Sequence, residues 1–264
     1  MTRCVATVLV IVCALSADAK TRSRSTHSKS KKPYCAGVKT ITDCKLEGCP
    51  KTPGDKKNFD PELNKVKNRS GEDSQPAVDH TIGWMKSLPD PQNFTEENRA
   101  RAELKTLGEG AKIRVRAWAL DVRPGSQETC NCGLTDPRDT DNHIVLIDPA
   151  LKNPRQECLE CNSITAEFTP RVRLNHPHFT REKLLPLIRS SRPIKASWKG
   201  GKLGKALLVR VTGYLMFDSH HFLDGALVRE NNWEIHPILK FEYCPPNQVC
   251  RSDSDANWKD LESD

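Results

Sequence analysis

Between residues 111 and 243 the hydrophobic residues follow two different periods, and the order in which those periods occur restricts the fold more than any other feature. Ile113, Val115, Ala117 and Ala119 alternate with Arg114, Arg116, Trp118 and Leu120, a period of two that puts successive side chains on opposite faces of a strand. His143 to Asp148 (HIVLID) and Ser163 to Thr169 (SITAEFT) read as short apolar strands, Leu207 to Phe217 (LLVRVTGYLMF) as a long one, and Trp233 to Tyr243 (WEIHPILKFEY) as the last. Between the third and fourth, Thr180 stands as a cap before REKLLPLIR, whose apolar positions fall at helical spacing. Three strands, one helix and two strands is the order of a five-stranded OB-like barrel, mainly β with α, closed at one end by its helix. Gly213 inside the fourth strand fits such a barrel, because tightly bent strands use glycine at corners.

Upstream the rhythm is helical and interrupted. Residues 33 to 57 hold three cysteines and three prolines without a sustained period, which predicts an irregular, cross-linked lead-in. Asp60 followed by Pro61, with Leu63 and Val66 on one face, predicts a short helix through Arg69. A second short helix is expected in residues 77 to 88. A third should begin at Thr95 with Glu96-Glu97 and run to Leu107, where Gly108 and Gly110 end it. At 36% hydrophobic residues, with Pro (18) outnumbering Gly (14), the chain has too much loop for a helical bundle and too little apolar length for several membrane spans.

The formal charge of +7 is unevenly placed. Residues 1 to 19 have a basic start at Arg3, an apolar run from Val5 to Leu15 and the small-x-small end Ala17-Asp18-Ala19. These are the three regions of a signal peptide, too short to span a membrane, so export is expected. Residues 20 to 32 (KTRSRSTHSKSKK) contain six Lys/Arg, no acid and no apolar side chain, the composition of a disordered basic arm. Arg3 and Asp18 cancel, so only +1 remains for residues 33 to 264. Residues 251 to 264, with two bases and five acids, read as a disordered acidic tail. The organisation expected is therefore signal peptide (1–19), basic arm (20–32), helical cysteine-containing lead-in (33–110), barrel (111–250) and acidic tail (251–264).

Outside the signal segment lie nine cysteines: Cys35, Cys44, Cys49, Cys130, Cys132, Cys158, Cys161, Cys244 and Cys250. In an oxidising compartment the default reading is disulfides, and an odd count leaves at least one thiol over. Cys130-x-Cys132 with Cys158-x-x-Cys161 has ligands enough for a zinc site, but two disulfides in adjacent loops are favoured over it, since exported thiolates tend to oxidise. Cys244 and Cys250 bracket Pro245-Pro246 and are expected to staple the end of the barrel.

Three acid–histidine groups sit in strand contexts: Asp141-x-His143, Asp218-Ser219-His220-His221 and Glu234-x-His236-Pro237. Residues two apart on a strand share a face, so each pair points one way, and Glu167 on the third strand is a further carboxylate that can face them. Were these strand ends to converge, Asp141, His143, Glu167, Asp218, His221, Glu234 and His236 would form either a structural polar cluster, a divalent-metal site or a general-base site. Pro237 marks an edge or bulge. Neither a phosphate-cradling glycine loop nor a nucleophile elbow is present in the sequence.

Asp141-x-His143-Ile144-Val145-Leu146, then Val211-Thr212-Gly213 through Phe217-Asp218 to His221, then Glu234-Ile235-His236-Pro237, resemble a family of secreted bacterial proteins with the pattern D-x-H-x-V-L, V-T-G, F-D-x-x-H and E-x-H-P. The similarity covers roughly residues 111 to 242, and the lead-in residues Cys44, Gly48-Cys49, Leu63-Asn64 and Lys67-Asn68-Arg69 resemble segments found ahead of it. The resemblance implies an exported OB-like domain and brings no established activity. Asn232-Trp233 replaces the family's glycine-rich approach to the last motif, so the loop there should have its own shape.

Three function classes follow. One is an exported, disulfide-stabilised binding or structural module without a required cofactor, whose basic arm contacts a polyanion or glycan and whose Trp118, Tyr214 and Trp233 are candidate stacking rings. The alternative is a metal-dependent hydrolase or nuclease using the acid–histidine cluster, with a divalent metal as cofactor. A third use, redox chemistry at the odd cysteine, requires an exposed thiol of low pKa.

Overall fold

The alternation read from residue 113 onward is the burial pattern of one strand of 13 residues, Lys112–Pro124, in which Ile113, Val115, Ala117 and Ala119 are all buried. A computed structural model describes residues 35–52, 59–71, 74–151, 161–191, 193–198, 202–225, 227 and 229–263. In chain order the elements are α1 (Pro61–Lys67), β1 (Val78–His80), α2 (Ile82–Lys86), α3 (Ala102–Thr106), β2 (Lys112–Pro124), β3 (Asn142–Ile147), β4 (Ser163–Phe168), α4 (Pro170–Arg173), α5 (Arg181–Ser190), β5 (Pro193–Trp198), β6 (Lys202–Lys205), β7 (Leu207–Phe217), α6 (Ser219–Asp224), β8 (Trp233–Tyr243) and β9 (Lys259–Asp260). The signal segment, the basic arm and Cys158 lie outside the described residues.

The sheet closes on itself. β2 pairs antiparallel with both β3 and β7, β3 with β4, and β7 with β8, while β4 and β8 run parallel through Ala166 and Ile235. The result is a closed five-stranded OB-like barrel with extra strands, in the order β2-β3-β4-β8-β7 and back to β2. Closure depends on β2, whose residues 112–119 pair with β7 and whose residues 118–124 pair with β3. A register shift between Ala119 and Asp121 lets the strand bend between those partners. β1 lies parallel to the start of β2.

A second irregularity lies between β7 and β8. Gly213 pairs with Ile238 and Leu215 with Ile235, so His236 and Pro237 oppose the single residue Tyr214. A Cβ at position 213 would meet the Pro237 carbonyl oxygen at 2.4 Å and Ile235 Cγ2 at 2.5 Å, so only glycine fits. Proline is tolerated at the bulge because its missing N–H is not needed in the ladder there.

α5 occupies the place between β4 and β7. Thr180 Oγ1 accepts the Lys183 N–H at 3.2 Å, and Leu184, Leu185 and Ile188 are buried in the main core with Phe168, Phe179, Phe217, Trp233 and Phe241. Buried Trp233 donates its indole N–H to the Pro89 carbonyl, and the Tyr214 ring lies under Arg69. Two of the three proposed stacking rings are therefore packing residues, and only Trp118 is half-exposed.

Four expectations need correction. Thr95 does not open a long helix: its hydroxyl accepts the Asn98 N–H in a local turn, and α3 spans only Ala102–Thr106. Residues 77 to 88 divide into β1 and the one-turn α2, capped by Thr81, instead of a single helix. The C-terminal segment is not a disordered acidic tail: β9 pairs with β8, Leu261 is fully buried, Asp255 pairs with Arg210 at 2.7 Å and Glu262 accepts the His178 N–H. Asp255 and Glu262 are held because each has a partner elsewhere in the chain, on β7 and on the segment before α5.

The cysteine pairing is the fourth. Disulfides join Cys35 to Cys49, Cys44 to Cys132 and, as expected, Cys244 to Cys250. Cys161 is also disulfide-bonded, and Cys130 is the free, buried thiol among the described cysteines. Cys132 pairs across to the lead-in because Asn68, which caps the C-terminus of α1, donates to the carbonyls of both Leu46 and Cys130, holding the two loops together. The barrel is thus disulfide-stabilised, and no helix among the described residues is long and apolar enough to cross a membrane. Replacing Cys44 and Cys132 together by Ala removes a link spanning 88 residues, and should cost about 2–4 kcal/mol in denaturant unfolding. A change within about 0.5 kcal/mol, the usual size for surface substitutions, would show that the lead-in is held without it.

Candidate active site

Pairing and register bring the acid–histidine strands together. His143 on β3 lies directly opposite Glu167 on β4, and the β4–β8 contact places Glu167 beside His236. Within β8, Glu234 and His236 share a face as their spacing requires. The bulge at Gly213 turns the His236 ring inward. Its Nδ1 lies 3.0 Å from Glu167 Oε2 and 3.3 Å from Glu234 Oε1, and its Nε2 lies 3.1 Å from the Lys67 carbonyl. The two carboxylate contacts are charge pairs without linear hydrogen-bond alignment. Burial opposes a charge on His236, but Glu167 and Glu234 carry its pKa up to about 10.

Asp218 arrives by another route. It ends β7 and caps α6, so His221 lies on a helical turn three residues later and not on a strand. Asp218 Oδ2 lies 2.5 Å from His221 Nδ1 and accepts from Arg229 Nη2 at 3.0 Å. Arg229 reaches Glu234 Oε2 with its other amino group at 2.8 Å. Burial alone would raise the Asp218 carboxyl, but His221, Lys67 and Arg229 hold it well below the usual carboxylate range. Arg101 supports this corner: it is ion-paired with buried Glu109 and donates to Ser219 Oγ and the Phe217 carbonyl.

One chain of charges therefore runs from His221 through Asp218, Arg229, Glu234, His236 and Glu167 to His143, whose Nε2 lies 3.5 Å from Glu167 Oε1. Its two ends differ from its middle. The His221 and His143 side chains are 49% and 36% exposed, whereas Asp218 and Glu167 behind them are 3% and 4% exposed. Both histidines line one cavity of about 180 Å³, together with Lys67, Arg123, Glu128, Glu167, Asp218 and Arg229. A larger space of about 380 Å³ adjoins it and shares Lys67, Glu128, Asp218 and His221. The cavity's three fixed cations and three carboxylates balance, so the histidines decide its sign.

The Asp218 hydrogen bond raises the His221 pKa above its ordinary 6.5, burial opposing it, and Glu167 does the same for His143. An NMR titration should find the His221 ring above 6.5, and Asp218→Asn should bring it back toward that value. A midpoint at or below 6.5 in the unsubstituted protein would contradict the pairing.

Lys67, Glu128 and Arg229 belong to this cleft although none of them stands in an acid–histidine pattern of the sequence. Lys67 follows Leu63 by one helical turn on the buried face of α1, a placement the periodicity of that helix contains. Its ammonium pairs with Glu128 Oε2 at 2.8 Å. Glu128 and Arg229 come from irregular segments, where periodicity carries no information. The Cys130 Sγ lies 3.2 Å from Glu128 Oε2, and burial and that carboxylate push the thiol well above its usual pKa. An exposed reactive thiol is thus absent at Cys130, and the four-cysteine zinc reading fails because Cys132 is bonded to Cys44.

Two ligand sets exist among the described acid and histidine residues: Glu128 with Asp141 and His143, and Asp141 with Glu167 and His236. His221 and Glu234 join neither. Asp141 is 3% exposed, and burial with Glu167 and Glu128 nearby raises its carboxyl to about 7. His220 lines only the larger space and pairs with Asp224 at 3.3 Å. No family model, curated protein or solved structure matches this chain.

Proposed function

We propose that this protein is an exported hydrolase that cleaves an anionic ester, of the phosphoester class, in the cleft between His143 and His221, and that it belongs with the secreted OB-like proteins its motifs resemble. The observation that carries this reading is the His221–Asp218 pair: an exposed imidazole backed by a buried carboxylate at the edge of a cavity. Asp218 takes Nδ1, which leaves Nε2 as the nitrogen facing outward. In its protonated form His221 gives its proton to the departing oxygen while water supplies the hydroxyl that replaces it, and the proton that this water releases passes to solvent, from which the imidazole is reprotonated. With three fixed cations and three carboxylates in balance, one protonated histidine makes the cleft net positive, which favours an anionic substrate. The basic segment 20–32 adds charge that holds a polyanion near the barrel.

Binding without catalysis is the less supported use, since Trp233 and Tyr214 are packed in the core and offer no stacking platform. The disulfides fit an oxidising compartment and so support export. The test is incubation of the full mature chain with RNA, single-stranded DNA and bis(p-nitrophenyl) phosphate. Hydrolysis of at least one, dependent on His221, is expected. Binding of these polymers with no turnover of any of them would overturn the hydrolase reading in favour of a binding module.

A further inference from the structure

We infer that Glu128, Asp141 and His143 form a binding site for one divalent transition-metal ion, Zn²⁺ or Mn²⁺, at the inner wall of this cleft. Donor atoms of the three residues all lie within 4.8 Å of one another. Two ligands each about 2.1 Å from an ion are at most about 4.2 Å apart, so a small rotation of the side chains closes the set. The second observation concerns Asp141 itself. It is 3% exposed, and its carboxylate accepts no hydrogen bond and joins no ion pair among the described residues. Burying a carboxylate without a partner is costly, and a cation among these donors removes that cost.

The other two residues are open to an ion. Glu128 engages Lys67 and Cys130 through Oε2 alone, leaving Oε1 without a protein partner. The Nε2 of His143 is buried and makes no hydrogen bond, its 3.5 Å contact with Glu167 Oε1 being a charge pair alone, while the ring borders the cavity through which an ion enters. The alternative set of Asp141, Glu167 and His236 is less suited, because Glu167 and His236 are committed to each other at 3.0 Å and His236 is fully buried. One imidazole with two carboxylates selects Zn²⁺ or Mn²⁺ over Ca²⁺, which takes oxygen ligands only. Three protein ligands also leave a position open for water or a substrate oxygen. That last role rests on the hydrolase reading, whereas binding of the ion does not.

The test is isothermal titration of the chelator-stripped full chain with Zn²⁺, Mn²⁺ and Ca²⁺, with Co²⁺ absorption as a second measurement. One Zn²⁺ or Mn²⁺ per chain is expected, bound more tightly than Ca²⁺, and Co²⁺ should give a d–d spectrum. Asp141→Asn and Glu128→Gln, checked for folding by circular dichroism, should each weaken binding by at least about tenfold, and His221→Gln should not. No saturable binding, tighter Ca²⁺, or unchanged affinity in both carboxylate variants would overturn the site. Hydrolysis that persists in the stripped protein and still requires His221 would overturn the metal's role and leave the proposed function standing.

Discussion

Replacing His221 with Gln is expected to lower ester turnover by about 10²- to 10⁴-fold, the usual contribution of a positioned proton donor, while the protein stays folded. The ring is half-exposed and its one carboxylate partner keeps Arg229 when the imidazole is removed. The loss should appear in kcat with KM little changed, because Lys67, Arg229 and the cavity walls remain. The pH profile separates proton transfer from a merely structural role. Since the Asp218 bond raises the His221 pKa, the unsubstituted enzyme should lose rate as pH climbs past 6.5, and this limb should vanish in the variant. Equal turnover in His221→Gln and unsubstituted protein would remove His221 from the mechanism.

The largest effect on stability should come from His236→Gln, at about 3–5 kcal/mol in urea unfolding, as for other buried charges left without a partner. His236 is fully buried between Glu167 and Glu234, which lie at 3.0 and 3.3 Å. A neutral amide leaves two carboxylates sharing one interior site with Arg229 as the nearest remaining cation to Glu234. The pH dependence follows from the direction of the shift. Glu167 and Glu234 carry the His236 pKa from its ordinary 6.5 up to about 10 in the folded protein, so its stabilisation is complete below about pH 6.5 and is lost as pH rises through about 10. The unsubstituted protein should therefore lose stability across that interval, and the variant should lack this component. A loss below about 1 kcal/mol would show that the two carboxylates are neutralised some other way.

Much of the barrel is legible in residues 111 to 243. The alternation from Ile113 to Ala119, the capping Thr180 and the apolar runs ending at Phe217 and Tyr243 each describe an element found where the periodicity puts it. Strands of a half-buried barrel declare themselves because each residue's neighbours are set two positions away. Thr95 misleads for a related reason: its hydroxyl satisfies a backbone N–H equally well in a turn or at a helix start, and the sequence does not distinguish them. The acidic C-terminal segment misleads because composition counts charges and not partners, and Arg210, the His178 backbone and β8 supply partners from far along the chain.

The candidate site divides the same way. That Glu234 and His236 share a face, and that Asp141 lies near His143, are local facts of strand geometry. That Glu167 stands opposite His143 depends on the β3–β4 register, and that His236 meets Glu167 depends on a parallel contact and a bulge. Lys67, Glu128 and Arg229 reach the cleft from a lead-in helix and two irregular segments held by long-range hydrogen bonds and the Cys44–Cys132 link.

By itself, then, the sequence determined the five strands, their order around one helix, the glycine at the bulge and the chemical inventory of acids and histidines. Only the tertiary structure decided which histidines reach solvent, which carboxylate stands behind each, and which cysteine remains a thiol. The physical reason is range. Periodicity and capping act within about one turn or two residues, whereas a buried charge network is set by register and loop packing, between residues far apart in the chain.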